Sequence, residues 1–222
     1  MRVRLVAAVL AASAVLTINA APVEAPQAAR SAQSGDCVTI GTPKPGVTYH
    51  YTHAQSNGVT TQTSHQWETV TPTGSRVKNV GPAGTQIQVN EHHIVDDAAV
   101  LDRTSKESAT GVVLEATSFK PGLVSDPAFR ACAGQTWAIP SVTAAFQSQQ
   151  QKASAQTPAG NLRIVAIRER ITVPAGTFDT VRYIRTSQSV DEYWKSIEHG
   201  VVVKHIATVS GVTITETLTA IK

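Results

Sequence analysis

The chain has 222 residues, 41% apolar and 16% charged, with a formal net charge of +3. This excludes a highly charged disordered tail, and the basic density is too low for a dedicated nucleic-acid binder. The length supports one sizeable core, or at most two small ones. Val and Thr occur 27 times each, against a single Met. That balance favours strands over helices, because β-branched side chains are stiff at χ1 and fit a pleated surface.

Residues 1–21 read as a signal peptide. Arg2 and Arg4 give a basic start, and Leu5 to Ile18 carries no charge. The run is shorter than the about 20 residues a bilayer span needs, so a cleaved export signal is expected rather than an anchor. Ala20 and Ala21 suit cleavage, which would remove much of the basicity. Residues 22–36 are rich in Ala, Pro, Gln and Ser without periodicity and read as a disordered leader. A single β-rich domain is expected over 37–222, with no transmembrane span, in a secreted or cell-envelope location. In an exported chain the two cysteines, Cys37 and Cys132, read as a disulfide.

Strands follow in chain order. Val47, Tyr49, Tyr51 and His53 share one face of the first, and Thr48, His50 and Thr52 the other. Asn57-Gly58 predicts a hairpin turn. Val59 to Val70 is Thr-rich around Trp67, Thr73-Gly74 turns the chain, and Val77 to Val80 is a short strand ended by Pro82-Ala83-Gly84. Ile87 to Val95 and Val112 to Phe119 are further strands. Asp96 to Ser108 and Thr143 to Ala155 are the two stretches that fit a helix, the second equally a polar loop or a strand end.

Leu162 to Val173 alternates, with Val165, Ile167, Ile171 and Val173 on one face. Pro174-Ala175-Gly176 breaks it, Pro setting φ and Gly accepting a left-handed conformation. Phe178 to Thr186 and Val201 to Val209 are strands. In the last strand Val212, Ile214 and Leu218 oppose Thr213, Thr215, Thr217 and Thr219, as a sheet with one solvated face requires. Two helical stretches are too few for a βαβ fold, which leaves roughly nine or ten antiparallel strands. They predict a mostly β protein: a single antiparallel, strongly curved sheet or half-barrel with one or two short helices.

Three motifs occur in order: Ala133-Gly134-Gln135-Thr136-Trp137, the run Glu169 to Val181 with Val-Pro-Ala-Gly-Thr-Phe at 173–178, and Tyr193-Trp194 followed by Gly200-Val201-Val202-Val203-Lys204. In that order they resemble a group of exported bacterial proteins of poorly defined function. These look similar to the curved-sheet fold of the periplasmic lipoprotein carriers and their receptor, LolA and LolB. The resemblance covers residues 110–219, and 46–95 by strand pattern alone. It implies a concave apolar face able to shelter acyl chains, and it carries over no catalytic residue. The first half departs from that picture, being Thr-rich with few large apolar side chains.

Local catalytic signatures are missing: there is no Gly-x-Ser-x-Gly, no His-Glu-x-x-His and no Gly-rich phosphate loop. Glu91, His92, His93, Asp96 and Asp97 form the densest ligand-like cluster. Consecutive strand residues point to opposite faces, so one metal would need a bulge there. His50 and His53 also lie on opposite faces. No metal site and no cofactor are expected.

Glu169 is in register with Val165, Ile167, Ile171 and Val173, and Glu216 with Val212, Ile214 and Leu218, so both fall on the expected inner face. A buried carboxylate raises its pKa or takes a partner. For Glu169 the partner must come from another strand, where Arg182 and Arg185 stand. A rim salt bridge or a register shift is the plain reading, and polar anchors in a ligand groove the functional one. The candidate ligand-binding residues are therefore Glu169, Glu216, Trp137, Tyr193 and Trp194. Tyr193-Trp194 stands in a turn-rich stretch beside Lys195, where an exposed Trp would mark a mouth or a partner surface.

The function these features favour is a non-enzymatic envelope or secreted protein that binds an apolar or lipid ligand, or a protein partner, on the concave face. A structural or surface-adhesion module is the alternative suggested by the Thr-rich faces. An envelope-acting hydrolase, with residues convergent only in space, is the third.

Overall fold

The computed structural model describes residues 36–222 except Thr85. The signal peptide expected at 1–21 and the leader at 22–36, Asp36 apart, lie outside the described residues. Among those described, the regular structure is sixteen strands and one 3-10 turn at Pro82–Gly84. The strands are β1 (Cys37–Thr39), β2 (Thr48–Gln55), β3 (Thr60–Thr71), β4 (Gly74–Val80), β5 (Ile87–Val95), β6 (Ala98–Glu107), β7 (Val113–Pro127) and β8 (Arg130–Cys132). They continue as β9 (Thr136–Ile139), β10 (Val142–Ser148), β11 (Lys152–Thr157), β12 (Gly160–Val173), β13 (Gly176–Thr186), β14 (Val190–Ser196), β15 (Val202–Val209) and β16 (Val212–Ile221). Every pairing is antiparallel.

The expected single, strongly curved sheet is corrected on two points. β1 and β8 form a separate two-stranded sheet. The other fourteen strands form an open sheet, ordered β11-β10-β7-β6-β5-β4-β3-β2-β16-β15-β14-β13-β12-β9, that is neither closed nor strongly curled. The opening falls between β9 and β10. Only Pro140 and Ser141 separate these strands, yet β9 pairs with β12 and β10 with β7. Pro140 has no N–H with which to continue a ladder across that junction.

Neither expected helix forms. At the start of the first stretch, Asp96 and Asp97 take φ 49° and 60°. Two successive left-handed residues make the type I′ turn that matches strand twist, and β5 and β6 pair outward from Val95 and Ala98. The second stretch, Thr143 to Ala155, is the β10–β11 hairpin, where pairing with β7 overrides a weak helical preference. The turn-rich reading around Tyr193-Trp194 is also corrected: both residues lie in β14, an interior strand in which Trp194 is 6% exposed.

Two apolar clusters make the core. One joins Val38 and Ile40 to Val100 of β6, Val124 of β7, Leu162 of β12 and Tyr183 of β13, so strands from both ends of the sheet order share it. The other packs Tyr49, Tyr51, Trp194, Val203 and Leu218. Cys37 faces Cys132 across the β1–β8 pair, and the two form a disulfide. Just beyond β1, Ile40 N donates to Phe129 O and Gly41 N to Ile197 O, which holds residues 41–43 against β14 and the end of the β7–β8 connection.

The β12–β13 hairpin has a two-residue loop, Pro174-Ala175, closed by the Val173–Gly176 pair. Gly176 has φ 140°, well past the left-handed well that Asn tolerates. Gly176→Val is therefore expected to cost about 2 kcal/mol in urea unfolding. Gly176→Asn should also unfold below the wild-type midpoint, whereas an ordinary left-handed turn residue would accept Asn. Wild-type midpoints for both variants would show that the hairpin closes differently.

Candidate functional site

The ladder registers line up six side chains across one face of the sheet. His53 of β2 opposes Glu216 of β16, Glu216 opposes His205 of β15, His205 opposes Tyr193 of β14, and Tyr193 opposes Tyr183 of β13, with Ile164 of β12 at the end. Directly opposed residues have Cβ atoms about 5 Å apart, close enough for rings to stack. Tyr193 does so on both sides, with centroids 4.1 Å from His205 and 4.8 Å from Tyr183.

Glu216 is the polar centre of this row. Its Oε2 lies 3.4 Å from His205 Nδ1, and its Oε1 lies 3.9 Å from both His53 Nε2 and His65 Nε2. Burial by itself would raise its pKa. The hydrogen bond from His205 and the influence of His65, His53 and His205 outweigh burial and hold the carboxyl below its ordinary value. For His65, burial outweighs the pull of Glu216 and lowers the pKa, so its imidazole is neutral at neutral pH. Burial likewise pushes the phenols of Tyr51, Tyr183 and Tyr193 up, which keeps them protonated.

His53 Nε2 also lies 2.7 Å from Thr63 Oγ1. Thr63 and Glu216 thus meet the same ring nitrogen. A nucleophile–base–acid relay uses opposite nitrogens of the ring, so Thr63, His53 and Glu216 do not form one. Among the described residues no group of three or more His, Cys, Asp or Glu has the arrangement to hold a metal ion. In the 91–97 cluster β5 does carry a register shift between Glu91 and His92. Its members nevertheless diverge: Glu91 pairs with Arg76, and His93 Nδ1 lies 2.9 Å from Asp102.

A cavity of about 210 Å³ opens beside Glu216. Tyr51, His65 and Tyr193 form one wall, and Trp67, Val77, Ile94 and Phe129 supply apolar surface. Asn79, His92, Asp126 and Lys195 also line it, as do residues 41–43. Lys195 Nζ donates to Asp126 Oδ2 at 3.1 Å and to Pro127 O at 2.7 Å. Three of these lining residues each carry a fully enclosed atom without a hydrogen-bond partner: Asn79 Oδ1, His92 Nδ1 and Asp126 Oδ1. Burial lowers the His92 pKa despite the nearby Asp126 carboxylate, so this ring too is neutral at neutral pH.

Of the five candidates read from the sequence, Glu216 and Tyr193 line this cavity. Trp137 packs against the first core cluster and donates from Nε1 to Asp96 O at 2.8 Å. Glu169 and Trp194 meet each other elsewhere, Trp194 Nε1 donating to Glu169 Oε1 at 3.2 Å. The expectation that both glutamates share a face is corrected by two irregularities in β12. One lies between Ile164 and Ala166, the other between Ile167 and Glu169, where Arg168 takes φ 56°. Each extra residue reverses the alternation.

After the second irregularity Ile167 pairs with Val181 and Glu169 with Thr180, so these two side chains take opposite faces. Arg182, one of the two cations the sequence offered, lies 3.2 Å from Glu169 Oε2. Arg185 pairs instead with Asp191 at 2.9 Å. Sequence reading missed His65, His205, Asn79, Asp126 and Lys195. Val201 to Ile206 is apolar on both parities around His205, so its faces cannot be assigned locally, and the others come together only through strand pairing.

What the fold and site define is an open antiparallel all-β protein with a small, mixed polar and apolar cavity against one sheet face. No protein-family model and no curated protein matches the chain. Among the described residues no helix is long and apolar enough to cross a membrane.

Proposed function

We propose that this chain is an exported, non-enzymatic binding protein that holds a small amphipathic ligand in the cavity beside Glu216, with a fold related to that of the lipoprotein carriers. The observation that carries this reading is the lining of the cavity. Trp67, Val77, Ile94 and Phe129 offer apolar surface, and Glu216, Asn79, His92 and Asp126 offer polar side chains on the same lining. A concave site with apolar walls and a few placed polar groups is the usual form of a small-molecule site. Its volume of about 210 Å³ is below the range of about 300–1,000 Å³ typical of drug-sized ligands. It therefore suits a single short chain or a small apolar body rather than a diacyl lipid. The disulfide is compatible with an extracytoplasmic location. The shared nitrogen of His53 weighs against the hydrolase reading.

The test is calorimetric titration of the mature protein with three short amphiphiles of one chain length: octylammonium, 1-octanol and octanoate. At least one should bind saturably. Val70→Trp, which fills the cavity from a partly exposed position on β3, should weaken that binding about tenfold or more. Absence of saturable binding by all three, or an unaffected Val70→Trp variant, would overturn the proposal.

A further inference from the structure

The geometry points to β11 as a docking edge for a partner protein: an extended segment in which acidic and apolar residues alternate adds to it as a further strand. This site is separate from the cavity beside Glu216 and does not depend on it.

β11 ends the sheet order, so one side of its backbone meets no strand. The hairpin fixes which groups lie on that side. Ser148 N donates to Gln151 O, so these two residues are a hydrogen-bonded pair. Such pairs alternate along an antiparallel ladder. Phe146 with Ala153 and Ala144 with Ala155 are therefore bonded pairs, and Lys152, Ser154 and Gln156 aim their N–H and C=O groups outward. Among the described residues no other backbone group pairs with them. Edge strands are commonly blunted by proline, bulges, shortness or lysines. β11 has six residues, all but Thr157 exposed, with no proline and no register shift, and its one lysine stands at the first position. The opposite edge is protected: β9 has four residues and runs into Pro140.

The two faces of β11 set what the added strand carries. On one, Arg103, Ser118, Ala145 and Ser154 form a row across β6, β7, β10 and β11. Alternation puts Lys120 and Lys152 on that face too. A concavity of about 1010 Å³ follows it, lined by these three cations and by one acid, Glu115, which pairs with Lys106 at 2.9 Å. Arg103 reaches Glu91 only at 3.9 Å, and Lys120 and Lys152 are in no ion pair among the described residues. On the other face Ala153 and Ala155 stand beside Phe146 and Ala144, small side chains that leave room for larger apolar ones. An added strand therefore offers carboxylates to the first face and apolar groups to the second, while its main chain extends the ladder. A second copy pairing through its own β11 would instead bring three more cations to the first face, because the outward-bonding residues of both copies share it.

The experiment measures binding of three capped, fluorescein-labelled peptides to the mature protein by anisotropy: Glu-Val-Glu-Val-Glu-Val, Lys-Val-Lys-Val-Lys-Val and the block peptide Glu-Glu-Glu-Val-Val-Val. The alternating acidic peptide should bind saturably and about tenfold more tightly than either of the others. Ser154→Pro removes an outward N–H without touching the β10 ladder, a setting in which strands tolerate proline. It should lose about tenfold or more in affinity for that peptide. Lys152→Glu, an exposed substitution, should lose about tenfold as well, and urea midpoints check that both variants fold. Should Ser154→Pro unfold, Lys152→Glu carries the test. Absence of saturable binding by the alternating acidic peptide, equal binding by the block peptide, or a folded variant of either kind that binds as the wild type does would overturn the inference. Dimerisation of the wild type in sedimentation, lost in Ser154→Pro, would assign the edge to a second copy and overturn it too.

Discussion

Replacing Cys37 and Cys132 by Ser is expected to lower the unfolding free energy by about 4–5 kcal/mol, the figure chain entropy assigns to so long a loop. The two cysteines are 95 residues apart in sequence. The sheet that carries them has only three residue pairs, Cys37 with Cys132, Val38 with Ala131 and Thr39 with Arg130, and a two-stranded ribbon of that size is marginal alone. Loosening β1 also loosens its continuation, where Ile40 is 2% exposed and Gly41 is bonded to Ile197 O. Residues 41–43 line the cavity, so ligand binding should weaken along with stability. Urea unfolding of the double variant beside the wild type reads the first effect. The denatured, unreduced wild type should present no titratable thiol. One thiol per cysteine, with no mass change on reduction and alkylation, would contradict the disulfide.

Asp126→Ala is expected to cost about 3 kcal/mol, because it leaves the Lys195 ammonium buried with one carbonyl for company. The Lys195 side chain is 7% exposed, and its Nζ has Asp126 Oδ2 and Pro127 O as partners. The figure sits at the low end of the range of about 3–5 kcal/mol for breaking a buried pair, since Asp126 is 28% exposed and water can partly replace it. The contact joins β7, third from one end of the sheet order, to β14, fourth from the other, so it ties together strands that share no ladder. Lys195→Met combined with Asp126→Ala should recover most of the loss, because two apolar groups leave no charge to strand. A lone Asp126→Ala variant with the wild-type urea midpoint would mean that the ammonium reaches solvent.

How far the site was legible is clearest in β2 and β12. Alternation placed Tyr49, Tyr51 and His53 on one face of β2, and both tyrosines are about 1% exposed there while His53 faces Glu216. The same reasoning placed Glu169 wrongly, although β12 alternates just as visibly. The difference is the extra residue at Arg168, whose φ of 56° nothing in the local sequence announces. A bulge arises where the partner strand sets a register that the chain must meet, so its position belongs to the pair β12–β13 and not to β12.

The sequence by itself determined the all-β character, the Asn57-Gly58 turn with Gly58 at φ 88°, most of the long strands, and the two cysteines that pair. These are properties of neighbours along the chain, or of a composition with only one partner available. The tertiary structure alone decided that β9 and β10 part to opposite ends of one sheet, and that Val190 to Ser196 is an interior strand. It also decided that His53, His65 and His205 converge on Glu216, and that Asn79, His92 and Asp126 line one cavity. His53 and Glu216 meet across the β2–β16 ladder from opposite ends of the domain. Side-chain alternation specifies which way a residue points on its own strand, whereas its neighbour on the next strand is set by pairing and register, which a local pattern does not encode.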